Sequence, residues 1–155
     1  MQGTCGRIII NVNIATKIIN RHSKSLKIEE QYKLQEFGYN TTKKFKIIKI
    51  PKPINLQKKS YDMERIDDSH PYYANESKDN NSFIKELIKL YDEFIKIGYF
   101  PNDYECYLQN DESIYIIDFD KFIKIVDEKK LNNLLIGAFI PENFHHIYII
   151  SSPGI

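Results

Sequence analysis

The chain has 155 residues, 42% of them hydrophobic and 28% charged, and its 22 basic and 21 acidic residues leave a formal net charge of +1. A chain of this length fits one domain, and so balanced a charge gives no broad attraction for nucleic acid or for an anionic membrane surface. No apolar run approaches the roughly 18 residues that span a bilayer. The start of the chain lacks the order of a signal peptide, and its two cysteines lie far apart. We therefore expect a soluble, intracellular protein of the cytoplasm that binds neither nucleic acid nor membrane.

The first half of the chain carries short strand patterns around one helix. Residues 7–20 are rich in Ile and Val with polar interruptions at Asn11, Asn13 and Thr16, which predicts a β-hairpin with its turn near residues 11–13. A stretch of partly helical spacing runs from Ser25, a candidate cap, to Gly38, a candidate stop, and predicts an amphipathic helix. Residues 45–50, which precede a proline, and residues 60–66 are rich in strand-forming side chains. These two segments predict further strands.

The second half is more helical. Residues 67–81 are polar and predict an exposed hinge or linker, and residues 82–98 carry a broad apolar face that predicts the clearest helix. A hairpin is expected over residues 107–117, then a helix over residues 122–135 and a strand-like segment at 146–150. The predicted fold class is therefore α+β, with a β-rich first half and a helical second half.

One candidate functional segment is IYIIDFDKF, in which an apolar strand ends at Asp118. A carboxylate at the exit of a buried strand can hold Mg²⁺ together with phosphate oxygens, because Mg²⁺ usually takes only one or two protein carboxylates. The alternative is that Asp118 caps a helix starting near Lys121.

A second candidate lies near the start of the chain. Gly3 and Gly6, followed by Ile8, could form a hairpin that closes over phosphates without side-chain obstruction, or simply a flexible end. Lys17 follows within the apolar stretch ATKII, where its ammonium could hold phosphate oxygens or could be a solvated group on an edge strand. A carboxylate from the next helix would orient that ammonium, and Glu30 is preferred over its neighbour Glu29.

Together these segments resemble the protein kinase superfamily, in an abbreviated form of the type found in large DNA viruses. The glycines resemble the end of the glycine-rich loop, ATKII resembles the VAIK strand, and the Asp118 segment resembles the start of DFG, in the family's order. The resemblance implies one kinase-like domain over residues 1–155. It comprises a β-rich N-lobe with one helix (1–66), the hinge or linker (67–81) and a truncated, mostly helical C-lobe (82–155). If the protein is viral, its compartment is the host cytoplasm.

The resemblance also implies the cofactors ATP and Mg²⁺, a protein substrate or partner, and a set of site residues. The implied nucleotide-binding residues are Gly3, Gly6, Ile8, Lys17, Glu30 and, near the gatekeeper and hinge, Met63, Glu64 and Ile66. The implied metal-binding residues are Asp118 and Glu105. The implied catalytic residues are Asp103 and Lys17. The implied activity is transfer of the γ-phosphate of ATP to a Ser/Thr-type hydroxyl.

The sequence departs from the family in its catalytic loop. Asp103 is the candidate catalytic aspartate, but the position five residues later, normally Asn, is Leu108. Counting back from Asp118 places the Asn position near Glu105 instead, and Asp120 replaces the glycine of DFG. Two alternatives to an active kinase therefore stay open: a pseudokinase that binds nucleotide or a partner without turnover, and an α+β interaction protein with a tyrosine-rich surface.

Overall fold

A computed structural model of the protein describes residues 2–3, 6–19, 25–73 and 81–138. Within these ranges the elements are, in chain order, β1 (Gln2–Gly3), β2 (Gly6–Ile10), β3 (Ile14–Ile19), α1 (Ile28–Thr42), β4 (Ile48–Lys49), β5 (Pro53–Ile54), β6 (Ser60–Glu64), α2 (Asn81–Lys96), β7 (Tyr99–Phe100), β8 (Glu105–Leu108), β9 (Ile114–Ile117), β10 (Ile123–Lys124) and α3 (Glu128–Ala138). The fold class is therefore α+β. No helix in these ranges is long and apolar enough to cross a membrane.

The first part of the chain forms a five-stranded antiparallel sheet in the order β1-β2-β3-β6-β5, and α1 follows β3 in sequence. Strand β3 lies at the centre of this sheet. Its register places Lys17 between Ile8 of β2 and Tyr61 of β6, and Ala15 opposite Met63. Since alternate residues of a strand face the same side, Lys17 shares the buried side with Ala15, Tyr61 and Met63.

The strand predictions for this region are confirmed where a strand is long. The predicted hairpin over residues 7–20 is present as β2 and β3, and the prediction at 60–66 is present as β6. Only Ile48–Lys49 of the predicted strand at 45–50 is extended and paired. Strand β5 was not predicted, because Pro53 reads as a strand stop; at the edge of the sheet its missing N–H costs no ladder bond.

Helix α1 begins and ends later than the sequence predicts. Its N-cap is Lys27, without a side-chain capping bond, so Ser25 is not the cap. Gly38 does not end the helix, which continues to Thr42. The glycine instead permits close packing, because a Cβ at this position would stand 2.4 Å from Cδ1 of Ile50.

The largest hydrophobic core lies between α1, α2 and a three-stranded sheet in the order β4-β9-β8. The predicted helix over residues 82–98 is present as α2, and the predicted hairpin over 107–117 is present as β8 and β9. The buried aromatic members of this core are Phe83, Tyr91, Phe94, Phe100, Phe119 and Phe122.

The helix predicted over residues 122–135 is wrong at its start. Ile123–Lys124 forms strand β10, which pairs with β7, and the helix begins only at Glu128. The carboxylate of Asp127 accepts a hydrogen bond of 2.7 Å from the N–H of Lys130, so Asp127 caps α3 at this point. The strand-like segment at 146–150 lies outside the described residues.

Several contacts join the two halves of the chain. Strand β4 pairs in parallel with β9, and the carboxylate of Glu86 on α2 accepts hydrogen bonds of 2.8 to 2.9 Å from the N–H groups of residues 46, 47 and 48. At the start of the predicted linker, Asp67 exchanges two backbone-to-side-chain hydrogen bonds with Gln109. The segments around β4 and after β6 are thereby held against the second half.

Candidate functional site

The candidate site is centred on the ammonium of Lys17. Its Nζ lies 3.2 Å from Oδ1 of Asp118 and 3.8 Å from Oδ2 of Asp120. Lys17 is only 4% exposed and lies on the central strand β3, which removes the alternative of a solvated edge lysine. A strand lysine and two carboxylates distant in sequence therefore form one buried charged cluster.

Asp118 follows β9 in an unusual backbone conformation. Its φ of 79° lies in the left-handed region, which is strained for a residue with a side chain. The next residue, Phe119, enters the core at 1% exposure. No helix starts near Lys121, where the chain turns into β10, so Asp118 is not a helix cap. The turn instead presents Asp118 and Asp120 to the same lysine.

The surroundings of the cluster shift the pKa of the Asp118 carboxyl. Burial raises its pKa to about 6; the hydrogen bond and charge of Asp120 act in the same direction, while Lys17 opposes them. Tyr61 lies beside the cluster, and burial together with the two carboxylates raises its pKa as well. Its hydroxyl donates a hydrogen bond of 2.8 Å to Oε1 of Gln35, so the tyrosine is held as a neutral donor.

The expected pairing of Lys17 with Glu30 is absent. Oε2 of Glu30 accepts hydrogen bonds of 2.8 Å from Nζ of Lys124 and 2.9 Å from the hydroxyl of Tyr99. Partial burial raises the pKa of Glu30, but these two donors and the charge of Lys124 outweigh it and lower the pKa overall. Glu29, the alternative, is exposed. Glu30 therefore ties α1 to β7 and β10 rather than orienting the lysine.

Sequence reasoning missed Gln31, which takes the buried position next to Glu30. It is 0% exposed, its Nε2 donates a hydrogen bond of 2.8 Å to the carbonyl of Leu26, and its Oε1 has no partner among the described residues. The signal was present in the sequence: Ile28, Gln31 and Gln35 share the three- and four-residue spacing of one helix face.

The residues of the predicted glycine-rich hairpin are placed as follows. Gly3 of β1 pairs with Gly6 of β2, and Ile8 of β2 stands opposite Lys17 of β3. Cys5 lies outside the described residues. The structure therefore brings Ile8 next to Lys17, whereas Gly6 stands opposite Ile19 and Gly3 lies one strand further away.

The predicted gatekeeper and hinge residues follow along β6 and beyond. Met63 is buried, and its sulfur accepts a hydrogen bond of 3.5 Å from Nε2 of Gln35. Glu64 is exposed, and its carboxylate accepts from the N–H of Lys52 at 3.1 Å. Ile66 is half-buried just after the strand. Of these residues, Met63 belongs to the buried face that contains Lys17.

The predicted catalytic-loop residues are more open. Asp103 has a left-handed φ of 52°, its side chain is 62% exposed, and Oδ2 lies 3.2 Å from Nζ of Lys121. Glu105 begins β8 opposite Ile117, and its carboxylate accepts a hydrogen bond of 2.9 Å from the hydroxyl of Tyr107. The structure thus engages Glu105 with Tyr107 and leaves Asp103 on an exposed loop.

The implied Mg²⁺ can be tested against these donors. Among the described residues no group of three or more His, Cys, Asp or Glu side chains could hold a metal ion. Mg²⁺ does not require such a group, because it keeps waters and shares phosphate oxygens with one or two protein carboxylates. Asp118, half-buried beside an ammonium suited to phosphate, fits this donor set. Glu105 has no such surroundings.

No protein-family model matches the chain, and a search of curated proteins found no match.

Proposed function

We propose that the chain is a compact, atypical protein kinase that binds ATP with Mg²⁺ and transfers the γ-phosphate to a Ser/Thr-type hydroxyl. The observation that carries the proposal is the 3.2 Å contact between Lys17 and Asp118, which stand 101 residues apart in sequence. The strand order β1-β2-β3-β6-β5, with α1 following β3, supports it as the arrangement expected of a kinase N-lobe.

In this proposal the buried face of the sheet binds the nucleotide. Ile8, Ala15 and Met63 provide an apolar surface for the base, and the backbone of Glu64 to Ile66 lies at the end of β6 near the edge of the base. The N–H groups of Glu64 and Arg65 already donate to the carbonyls of Lys52 and Asn13, so the N–H of Ile66 would donate to the base. The ammonium of Lys17 contacts phosphate oxygens, as a buried cation facing an anion. Asp118 would hold Mg²⁺, whose charge neutralises the phosphates when bound.

Asp103 has the role of accepting or orienting the proton of the substrate hydroxyl. Its carboxylate is exposed, so an acceptor could approach it from solvent. Nζ of Lys121 lies 3.2 Å from Oδ2 of Asp103, so the carboxylate has a cation beside it as well as access to solvent.

The experiment that tests transfer is a radiolabel assay with γ-labelled ATP, applied to self-phosphorylation and to a general Ser/Thr protein substrate. We expect magnesium-dependent transfer by the wild type and a loss of about a hundredfold or more in Asp103→Asn, because general base catalysis contributes roughly 10² to 10⁴. Asp92→Asn, a matched change of an exposed aspartate on α2, should leave the rate unchanged. Equal rates in both variants would remove Asp103 from the mechanism.

A second candidate function, a pseudokinase that binds nucleotide without turnover, is favoured by one feature of the loop. Leu108 occupies the position five residues after Asp103, and the nearby carboxylate of Glu105 is engaged by Tyr107, so neither supplies a ready second metal ligand. This candidate predicts Mg·ATP binding by the wild type together with no labelled product in the same assay. Transfer that disappears in Asp103→Asn would exclude it.

A further inference from the structure

The lysine of the site lacks a partner from the helix that packs beside its sheet. Within the described ranges, the carboxylates within 4.0 Å of Lys17 Nζ are those of Asp118 and Asp120, and none comes from α1. The side chains of Lys17 and Asp120 are each only 5% exposed. The second carboxylate of the cluster therefore comes from the segment after β9.

The buried face of α1 explains why the helix supplies no charge. The buried positions of this helix are Ile28, Gln31, Leu34, Gln35, Gly38 and Thr42, none of them acidic. Burying an ionised group costs free energy unless it is paired, whereas a neutral amide is tolerated with fewer partners. The acidic residue next to this face, Glu30, accepts hydrogen bonds from Lys124 and Tyr99 instead.

A chain of hydrogen bonds nevertheless links α1 to the charged cluster through Asp120. Nε2 of Gln31 donates to the carbonyl of Leu26 at 2.8 Å, and the N–H of Leu26 donates to the carbonyl of Asp120 at 2.8 Å. The backbone of Asp120 is thus fixed to the start of the helix, and its side chain reaches Lys17. These bonds connect the segment just before α1 to the residue whose side chain reaches Lys17.

We propose that Asp120 is a positioning residue for Lys17 and holds its ammonium in the site in place of a carboxylate from α1. The consequence for ATP rests on the proposed function, whereas the contact itself does not. Asp120 replaces the glycine of the DFG-like segment, so the site keeps two carboxylates around its lysine although α1 offers none. In this role Asp120 acts through the lysine and need not touch the nucleotide or the metal.

The test reads Lys17 directly, without nucleotide. In protein labelled with ¹⁵N-lysine, the buried Lys17 ammonium is identified by the signal that disappears in Lys17→Arg. We expect Asp120→Asn to shift this signal and speed its proton exchange, Asp120→Glu to retain most of the wild-type behaviour, and Glu30→Gln to leave the signal in place. If Asp120→Asn does not fold, Asp120→Gly provides the same comparison. An unchanged Lys17 signal in the folded Asp120 variant overturns the proposal.

The same variants are then titrated with ATP, with and without Mg²⁺. We expect Asp120→Asn to weaken binding on the order of tenfold in both conditions, because the phosphate-binding lysine is then held by one carboxylate instead of two. Weakening only when Mg²⁺ is present, with the Lys17 signal unmoved, would make Asp120 a metal ligand and overturn the positioning role. If the wild type binds no ATP but the Lys17 signal responds to Asp120→Asn, the proposed function fails and the inference about Asp120 and Lys17 stands.

Discussion

Two regions of the molecule place opposite charges at similar distances in different surroundings. One is the charged cluster of Lys17, Asp118 and Asp120 in the core, and the other is the exposed pair of Asp103 and Lys121. The Lys17 side chain is 5% exposed, whereas those of Asp103 and Lys121 are 62% and 38% exposed. The free energy cost of a charge removed from water depends strongly on whether it has a partner of opposite charge. Exposed ion pairs are screened by water and interact weakly. The nucleotide end of the proposed site is therefore part of the folded core, while the transfer end lies on the surface.

The largest expected effect follows from removing the cation of the buried cluster. Lys17→Met leaves the buried carboxylate of Asp120 and the half-buried carboxylate of Asp118 without their ammonium, and breaking a buried ion pair in this way costs about 3 to 5 kcal/mol. We expect the free energy of unfolding in urea to fall by that amount. A loss below about 1 kcal/mol, the range of surface pairs, would show that the cluster is not buried in solution.

The pH dependence of stability should be the next largest effect. Since the folded state raises the pKa of Asp118 from 3.8 to about 6, the folded protein binds this proton more tightly than the unfolded chain does. The contribution of Asp118 to the free energy of unfolding should therefore fall as the pH rises from about 4 to 6, by about 2 to 3 kcal/mol.

The control for this pH effect is Asp118→Asn, which cannot ionise at that position. Urea unfolding at several pH values should show a flatter profile between pH 4 and 6 in this variant than in the wild type. Identical slopes in the two proteins would mean that Asp118 titrates as it does in the unfolded chain.

An intermediate effect is expected at Glu86, which is half-buried. Its carboxylate accepts hydrogen bonds from three backbone N–H groups, those of residues 46 and 47 and of the first residue of β4. Glu86→Ala leaves these donors without their acceptor, and we expect a loss of about 1 to 2 kcal/mol in urea unfolding. Glu93→Ala, which removes a more exposed acid from the same helix, is the matched control. Equal losses in the two variants would contradict a specific role for the Glu86 hydrogen bonds.

The smallest expected effect is at the exposed pair. Asp103→Asn should change the free energy of unfolding by less than about 1 kcal/mol, because exposed ion pairs contribute little. A change as large as that of Lys17→Met would remove the distinction between the two regions.

Much of the fold could be predicted where local periodicity is strong. The apolar face of α2 and the strand pattern of β8 and β9 each extend over enough residues to reveal their type. Strands β4, β7 and β10 are only two residues long, so their pairing depends on tertiary contacts that no local pattern records. The start of α3 at Glu128 could be predicted only from the capping chemistry of Asp127.

The candidate site was predicted in its extended parts and missed on its helix. Lys17 lies within β3 and Asp118 directly follows β9, and the direction of a strand fixes where its side chains project. The structure brings the two side chains together. On an α-helix one position corresponds to a rotation of about 100°, so choosing Glu30 instead of Gln31 moves the side chain to another face. Asp120 could not be assigned to Lys17 from sequence, because the turn after β9 depends on the left-handed backbone of Asp118.

Lys17 and Asp118 form the proposed site for ATP and Mg²⁺, and calorimetric titration of ATP measures binding at this site. We expect binding by the wild type that strengthens with Mg²⁺, loss of that strengthening in Asp118→Asn, and loss of binding in Lys17→Met at a temperature where the variant is folded. No binding by the wild type in the presence of Mg²⁺, or equal binding by all three proteins, would show that these two residues do not form such a site.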